Sequence, residues 1–531
     1  MDSPRVHITV YGCQMNRLDG ELVAEVLRRS GAEIVADAEA ADVLLYVTCA
    51  VRGHAENRVF SNLGALAARK KREPRLVVGL LGCMAQEHGA KMRERAPVVD
   101  IVCAPGRLAE LPDLVARARA GKPAIALDPV RGSDANAGPT ASGEQARRLH
   151  VSTLTFTPRS ALRTPQFAAS DKALDDIEID RLVGPALRAQ AYVVAMRGCD
   201  NFCSYCVVPY VRGPERSRDP QSILQEVRRL VGKGALEITL LGQAVDRYRA
   251  ESGGRTWDLA DLLAAAAGTP GLRRLRFITS HPAAMTAPLA RVFRDVPRVC
   301  PHLHMPAQSG SDAVLERMNR GYTAAEYLEK VALVREACPE VAVVSDFIVG
   351  FPGESHRDFD ATMDLARRVR FAGGFVFKYS PRPGTSGAKR FADDVPAAEK
   401  RRRNNELLAL ISQISEEENR RFIGRRVSVL VEGLAPRPHL NKREASPASG
   451  EASGEQAPRQ NVSVLPFTPH SALSSSLSLR AEGRTPHSLQ FRGRTPCNRL
   501  VVLDGPPDLI GREVDADILD AGALTLFGKL A

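Results

Sequence analysis

The chain has 531 residues, of which 44% are hydrophobic and 25% charged, and ten are cysteines. That balance excludes wholesale disorder and, at about 150 residues per domain, allows three to four domains. Apolar runs are short and broken by charge, and no apolar leader precedes the strand-like run at Val6, so neither a membrane span nor a signal peptide is expected. The reading is a cytoplasmic, monomeric protein whose cysteines serve metal binding or catalysis rather than disulfides.

From the N-terminus, residues 6–11 read as a strand ending at Gly12-Cys13, and 18–30 as a helix with Leu18, Leu22, Val26 and Leu27 on one face. A strand at 43–47 ends at Thr48-Cys49, a helix covers 54–70, and a strand at 75–81 ends at Gly82-Cys83. This βαβαβ pattern predicts a parallel sheet with right-handed crossovers over residues 4–125. Ligands bind outside the carboxyl ends of such strands, and three cysteines follow three such ends. A shared site is expected for Cys13, Cys49 and Cys83. Thiolates suit both zinc and iron–sulfur clusters, so position alone does not name the metal. Cys103 lies inside an apolar stretch and reads as a packing residue.

Residues 141–162 and 452–473 align without gaps, with 16 identities in 22 positions. The repeat is rich in Ser, Pro, Thr and Arg and has no period of 2 or 3.6, so both copies read as low-complexity, disordered inserts at about 131–170 and 437–496. They carry +7 of the net charge of +11. Net charge is therefore weak evidence for a nucleic-acid partner.

Residues 191–196 read as a strand, and Cys199, Cys203 and Cys206 follow it in the spacing CxxxCxxC. Three thiolates within eight residues must fold around one centre. A structural zinc would want a fourth ligand, and the next histidine is His281. A cubane held by three thiolates leaves one iron open for a small chelating ligand. Further strands are expected at 236–241, 275–278, 299–305, 341–349 and 374–378, with helices at 220–232, 258–267, 283–294, 311–337 and 356–369. Six βα units are too few to close an eight-stranded barrel, so a partial (β/α)6 barrel is expected over 185–422. Gln243, Ser280-His281, Gln308 and Gly350–Glu354 follow successive strands, at the mouth where barrel chemistry sits. A helix at 396–423 opens with Lys400-Arg401-Arg402-Arg403, read as a solvated face. Short alternating strands at 426–433, 499–504, 513–518 and 523–530 predict a small all-β barrel over 424–531, split by the second insert.

CxxxCxxC with Phe202 and Tyr205, followed by the Gly-rich loop 348–354, resembles the radical S-adenosylmethionine (SAM) superfamily. The segments MRGCDNFCSYC, TLLGQ, TSHP, PAQSGSD and DFIVGFPGE, with YGCQMN, VTCAVR and LLGCMA, resemble its methylthiotransferase branch, of the MiaB type that acts on N6-isopentenyladenosine in tRNA. The resemblance covers nearly the whole chain except the inserts, and the last barrel resembles a TRAM RNA-binding domain. It implies two [4Fe–4S] clusters, one on Cys199, Cys203 and Cys206 that chelates SAM and one on Cys13, Cys49 and Cys83 that carries sulfur, with Phe202 and Tyr205 shielding the first. It also implies SAM-positioning roles for Gln243, Ser280, Ile348, Gly350, Gly353 and Glu354, with no side-chain acid or base doing the chemistry, since an adenine C2–H needs a cofactor radical. The implied partners are tRNA, an electron donor such as flavodoxin or ferredoxin, and a sulfur source. Alternatives are a threonylcarbamoyl-type adenosine or a ribosomal-protein aspartate as substrate, a two-cluster electron carrier, and a non-catalytic, metal-stabilised RNA-binding protein.

Overall fold

A computed structural model describes residues 3–50, 53–122, 124–129, 165–181, 189–435, 465–466 and 489–531. The chain divides into two compact units. One comprises Met1–Val10, Asp19–Arg181 and Val208–Gly213; the other comprises Tyr11–Leu18, Leu182–Val207 and Pro214–Ala531. Among the described residues no helix is long and apolar enough to cross a membrane.

The first unit is built on parallel strands β1 (Arg5–Val10), β2 (Val43–Thr48), β3 (Val77–Gly82), β4 (Ile101–Cys103) and β5 (Ala124–Ala126), paired in chain order. The crossovers run through α1 (Gln14–Arg29), α2 (Gly53–Arg72), α3 (Cys83–His88) and α4 (Leu111–Arg119). Every residue of β2 and β3 is buried, as expected of strands covered on both faces. The register pairs Val10 with Val47 and Thr48 with Gly82, so the carboxyl ends of β1, β2 and β3 are level to within a residue. Cys103 ends β4, fully buried, which suits a packing residue. One helix was not legible in the sequence: α5 (Pro165–Asp180) overlaps the span assigned to the first insert. Its end is tied to α1 by a buried Arg181–Glu21 ion pair, and Leu174 and Ile177 are buried. The remaining residues of that insert, and residues 437–464 and 467–488 of the second, lie outside the described residues.

In the second unit six parallel strands follow one another in chain order. They are β6 (Gln190–Val194), β7 (Glu237–Leu241), β8 (Arg274–Ile278), β9 (His302–His304), β10 (Ala342–Val349) and β11 (Gly373–Lys378). β6–β8 and β9–β11 each form a three-stranded sheet, and a parallel bridge between Leu275 and Val299 joins the two rows. The helices are α6 (Pro220–Gly232), α7 (Leu259–Ala267), α8 (Ala287–Asp295), α9 (Ala324–Ala337), α10 (His356–Val369) and α11 (Ala397–Arg420). One core runs through strands and helices, including Leu240, Phe277, Leu303, Phe347, Leu365 and Leu407. This is the open partial barrel expected from six βα units.

The single helix expected at 311–337 is instead two, Asp312–Arg317 and α9. Asn319 and Gly321 take left-handed φ of 57° and 68°, and Thr323 and Glu326 form a reciprocal capping box that starts α9 afresh. The sequence signal was Gly321-Tyr322-Thr323 followed by Glu326, which helical periodicity overrode.

The last hundred residues form a closed barrel of β12 (Arg426–Leu434), β13 (Leu489–Arg494), β14 (Leu500–Gly505), β15 (Glu513–Ala521) and β16 (Thr525–Leu530), in the order β12-β13-β14-β16-β15. Val429, Phe491, Leu503, Ile518 and Leu526 fill it. β13 falls inside the span 437–496 assigned to the second insert. Its alternation is only six residues long and is interrupted by Arg492 and Gly493, so composition masked it. It pairs with β12 and β14, which closes the barrel.

Candidate active site

The CxxxCxxC loop leaves the carboxyl end of β6 and is held on three sides. Gly198 and Phe202 take φ of 77° and 48°, which turns the chain back on itself. The Cys206 amide donates to the Cys203 carbonyl at 2.9 Å, closing the CxxC turn. The break between Asp312–Arg317 and α9 supplies the clamp. Asn319 Nδ2 donates to the carbonyls of Asn201 and Phe202 at 3.3 and 3.1 Å. Ser204 binds the Arg317 and Met318 carbonyls through its hydroxyl and amide, and its own carbonyl accepts from Gly387 N at 2.6 Å.

Arg320 is the residue that motif reading missed. Its guanidinium is buried and donates to Cys203 Sγ at 3.2 Å, with Pro306 O at 3.1 Å and Tyr322 Oη at 3.0 Å as further acceptors. A cation directed at a sulfur stabilises it as thiolate. Burial pushes the Cys199 thiol up to about 11, opposed by the backbone amide of Asn201. Tyr205 packs against Val314, Met318, Phe351 and Tyr379, whereas Phe202 is exposed.

Around this loop, the ends of the next strands carry buried polar atoms without hydrogen-bond partners. Gln243 Oε1 follows β7. Ser280 Oγ and both ring nitrogens of His281 follow β8. Burial, with Arg320 and Arg247 nearby, lowers His281 to about 3, so its imidazole is neutral. Its backbone N–H donates to Asp246 at 2.7 Å, and burial pushes that carboxyl up to about 8. An unpaired buried polar atom costs roughly 1–3 kcal/mol, so these atoms at neighbouring strand ends gain from a ligand that partners them.

Other sequence candidates have internal roles. Ile348 lies on β10 with its amide bonded to the Gln308 carbonyl. Gly350 and Gly353 take φ of 69° and 74°, and their amides donate to Glu354 and Asp394. Glu354 is buried and accepts from Arg403 Nη1 at 2.6 Å. The solvated reading of the basic turn on α11 is therefore corrected for two of its four cations. Lys400 and Arg403 are buried and brace the loop 350–354 and Asp393, because their helix face packs inward. Arg401 and Arg402 remain exposed.

In the first unit, Cys49 and Cys83 are buried one residue past the ends of β2 and β3. Cys83 opens α3 after Gly82 at φ 91°. Arg212 Nε donates to Cys83 Sγ at 3.1 Å and is itself paired with Asp19 at 2.5 Å. Cys13 lies three residues past the end of β1, in a segment of the second unit, where its amide donates to Asn16 Oδ1 at 3.2 Å. Among the described residues no three His, Cys, Asp or Glu side chains stand in a ready-made ligand cage. Metal binding takes the protons from cysteine thiols, so the geometry of such a site is completed by the metal itself. The donor set fits an iron–sulfur cluster: a trio of cysteines on one loop, with a buried guanidinium already bonded to one sulfur.

A row of six strands carrying a CxxxCxxC loop at its first carboxyl end defines the radical SAM class, and residues 193–366 match the model of the Radical SAM superfamily. Residues 5–104 match the model described as Uncharacterized protein family UPF0004. The chain is 39% identical over 528 residues to a tRNA-2-methylthio-N(6)-dimethylallyladenosine synthase of Rhodopirellula baltica, covering 99% of this chain and 95% of the relative. It is 36% identical over 529 residues to a protein of the same name from Porphyromonas gingivalis, with the same two coverages. Among solved structures, the radical SAM methyltransferase TsrM of Kitasatospora setae aligns with a TM-score of 0.48 at 15% identity, over 73% of this chain and 74% of that one. The chain belongs to the tRNA-2-methylthio-N(6)-dimethylallyladenosine synthase family. It is a radical SAM enzyme of the methylthiotransferase kind, with SAM and a [4Fe–4S] cluster as cofactors.

Proposed function

We propose that the protein adds a methylthio group to C2 of N6-isopentenyladenosine at position 37 of tRNA, beside the anticodon. The observation that carries this reading is the join between a cysteine loop gripped by Arg320 and the unpartnered polar atoms of Gln243, Ser280 and His281 on the neighbouring strand ends. When bound, a [4Fe–4S] cluster on Cys199, Cys203 and Cys206 with SAM supplies a radical able to take a hydrogen from an unactivated position. Arg320 holds the Cys203 sulfur with a charged N–H donor. Gln243 Oε1 offers an acceptor, and the Ser280 hydroxyl a donor and acceptor, to a ligand rich in amine, carboxylate and hydroxyl groups. Neutral His281 can accept or donate without adding charge.

Cys13, Cys49 and Cys83 are proposed as ligands of a second [4Fe–4S] cluster, the site of sulfur transfer. The reading is supported by their place after three adjacent strands and by the Arg212 donor at Cys83. Arg212 is fixed by Asp19, so its N–H is aimed rather than free to rotate. The closed C-terminal barrel is read as a TRAM module that binds the tRNA. The electron donor is read as flavodoxin or ferredoxin, and the compartment as the cytoplasm.

The test is anaerobic reconstitution followed by iron counting, SAM cleavage and mass spectrometry of tRNA nucleosides. About eight irons per chain are expected. Cys203→Ala should abolish SAM cleavage, whereas Cys49→Ala should spare cleavage and abolish the methylthio product. Product formed by Cys49→Ala would remove the second cluster from this assignment, and stoichiometric zinc without iron would end the enzymatic reading.

A further inference from the structure

Phe375 and Phe377 on β11 are 60% and 40% exposed, while Val376 between them is buried. Exposed phenylalanines are out of place on a parallel sheet, whose strands are normally covered on both faces. The outer face of β11 carries Gly374 and Val376. A Cβ on Gly374 would stand 3.3 Å from Ile411 Cδ1, and Val376 shares a core with Leu407 and Ile411 of α11. The two-residue period of a strand therefore turns Phe375 and Phe377 to the opposite, inner face.

There the two rings stack, with centroids 6.3 Å apart and planes 21° from parallel. The register sets Phe375 beside Asp346 and Phe377 beside Ile348 of β10. Ile348 and Tyr205 of the cysteine loop each pack against the buried cluster of Val314, Met318, Phe351 and Tyr379, so this ladder runs toward the cysteine loop. Asp346 pairs with His304 at 3.3 Å and marks the other end with a carboxylate.

We propose that Phe375 and Phe377 are the platform for the target base, stacking an adenine whose N6 carries a branched apolar group and thereby selecting it. The inference rests on the proposed RNA reaction and names the residues that choose its substrate. Base–aromatic stacking needs only a π-face, and the apolar Phe377–Ile348 edge suits a dimethylallyl substituent. A threonylcarbamoyl group at N6 would set a carboxylate against that same apolar Phe377–Ile348 edge, where a charge without a partner opposes binding.

The experiment uses the full reconstituted chain and two anticodon stem-loop RNAs, identical except for N6-dimethylallyl at the target adenosine. Binding is read by fluorescence anisotropy and product by mass spectrometry. Wild type should bind the prenylated RNA more tightly. Phe375→Ala/Phe377→Ala should lose about tenfold or more in affinity for it, with far less change for the unmodified RNA. Phe377→Trp should keep the preference. Iron content and thermal midpoint report that the exposed-residue variants are folded. A double variant that keeps the wild-type preference overturns the platform and leaves the reaction standing. A wild type that neither prefers nor thiomethylates prenylated RNA overturns the reaction, and the platform with it.

Discussion

Replacing Arg320 by methionine removes a buried cation from a cysteine sulfur while keeping an unbranched side chain of similar reach. Four contacts go: Cys203 Sγ at 3.2 Å, Tyr205 Oη at 3.4 Å, Pro306 O at 3.1 Å and Tyr322 Oη at 3.0 Å. A hydrogen bond to a charged group is worth about 1.5–3 kcal/mol, and it strengthens as its acceptor gains charge. If about 1.4 kcal/mol of that appears only when the cluster is reduced, the one-electron midpoint falls by about 59 mV when the donor is lost. The loss of the neighbouring positive charge pushes in the same direction, so about 60 mV is a lower figure. Arg320→Lys keeps the charge but not the fork, and should fall between the two. The assay is an anaerobic potentiometric titration followed by electron paramagnetic resonance, with iron content as the loading control. A fully loaded Arg320→Met protein whose midpoint matches wild type would refute the claim that this guanidinium tunes the site rather than merely filling space.

Gly387→Ala tests the clamp on the cysteine loop. A Cβ there would lie 2.7 Å from the Ser204 carbonyl oxygen, and overpacking of this kind costs about 1–3 kcal/mol. Iron loading at the CxxxCxxC loop should fall while loading at a site made by Cys13, Cys49 and Cys83 persists; full loading at both would show that the loop yields freely. Asp246→Asn tests burial. The folded carboxyl titrates at about 8 against an ordinary value of 3.8, so between those pH values the folded chain holds a proton the unfolded chain has lost. Stability therefore falls as pH rises across that window and levels off above it. Asparagine removes the slope, so the variant should gain over wild type from pH 5 to pH 8. Each pH unit crossed inside that window is worth about 1.4 kcal/mol, which shows as about 2–4 °C in Tm. His281 opposes this trend in both proteins, because its depressed pKa favours folding above 6.5, and the comparison cancels it. A gap in Tm that does not change with pH would count against a buried, protonated Asp246.

The strands that the six cysteines follow and the open barrel were legible because each is written locally. Alternating apolar runs mark β6 to β11, and CxxxCxxC needs only eight residues to declare a shared centre. The clamp was not legible. Asn319 and Arg320 lie more than a hundred residues from the loop they hold, inside a stretch whose apolar spacing reads as one helix. Lys400 and Arg403 read as a wet face because a run of cations has no periodicity to show which of its members turn inward. Strand β13 was lost among the Ser, Pro and Arg around it, since its reason for being a strand is the barrel it closes.

What the sequence determined by itself, then, is the inventory of reactive groups and the order of the elements that carry them, because hydrophobic period and cysteine spacing are properties of neighbouring residues. What only the tertiary structure decided is which cation meets which sulfur, which polar atoms are left facing inward without partners, and which phenylalanines stand uncovered. Those outcomes depend on how distant segments pack, and the burial that packing imposes sets the charge of His281 and Asp246 as well as the company kept by Cys203.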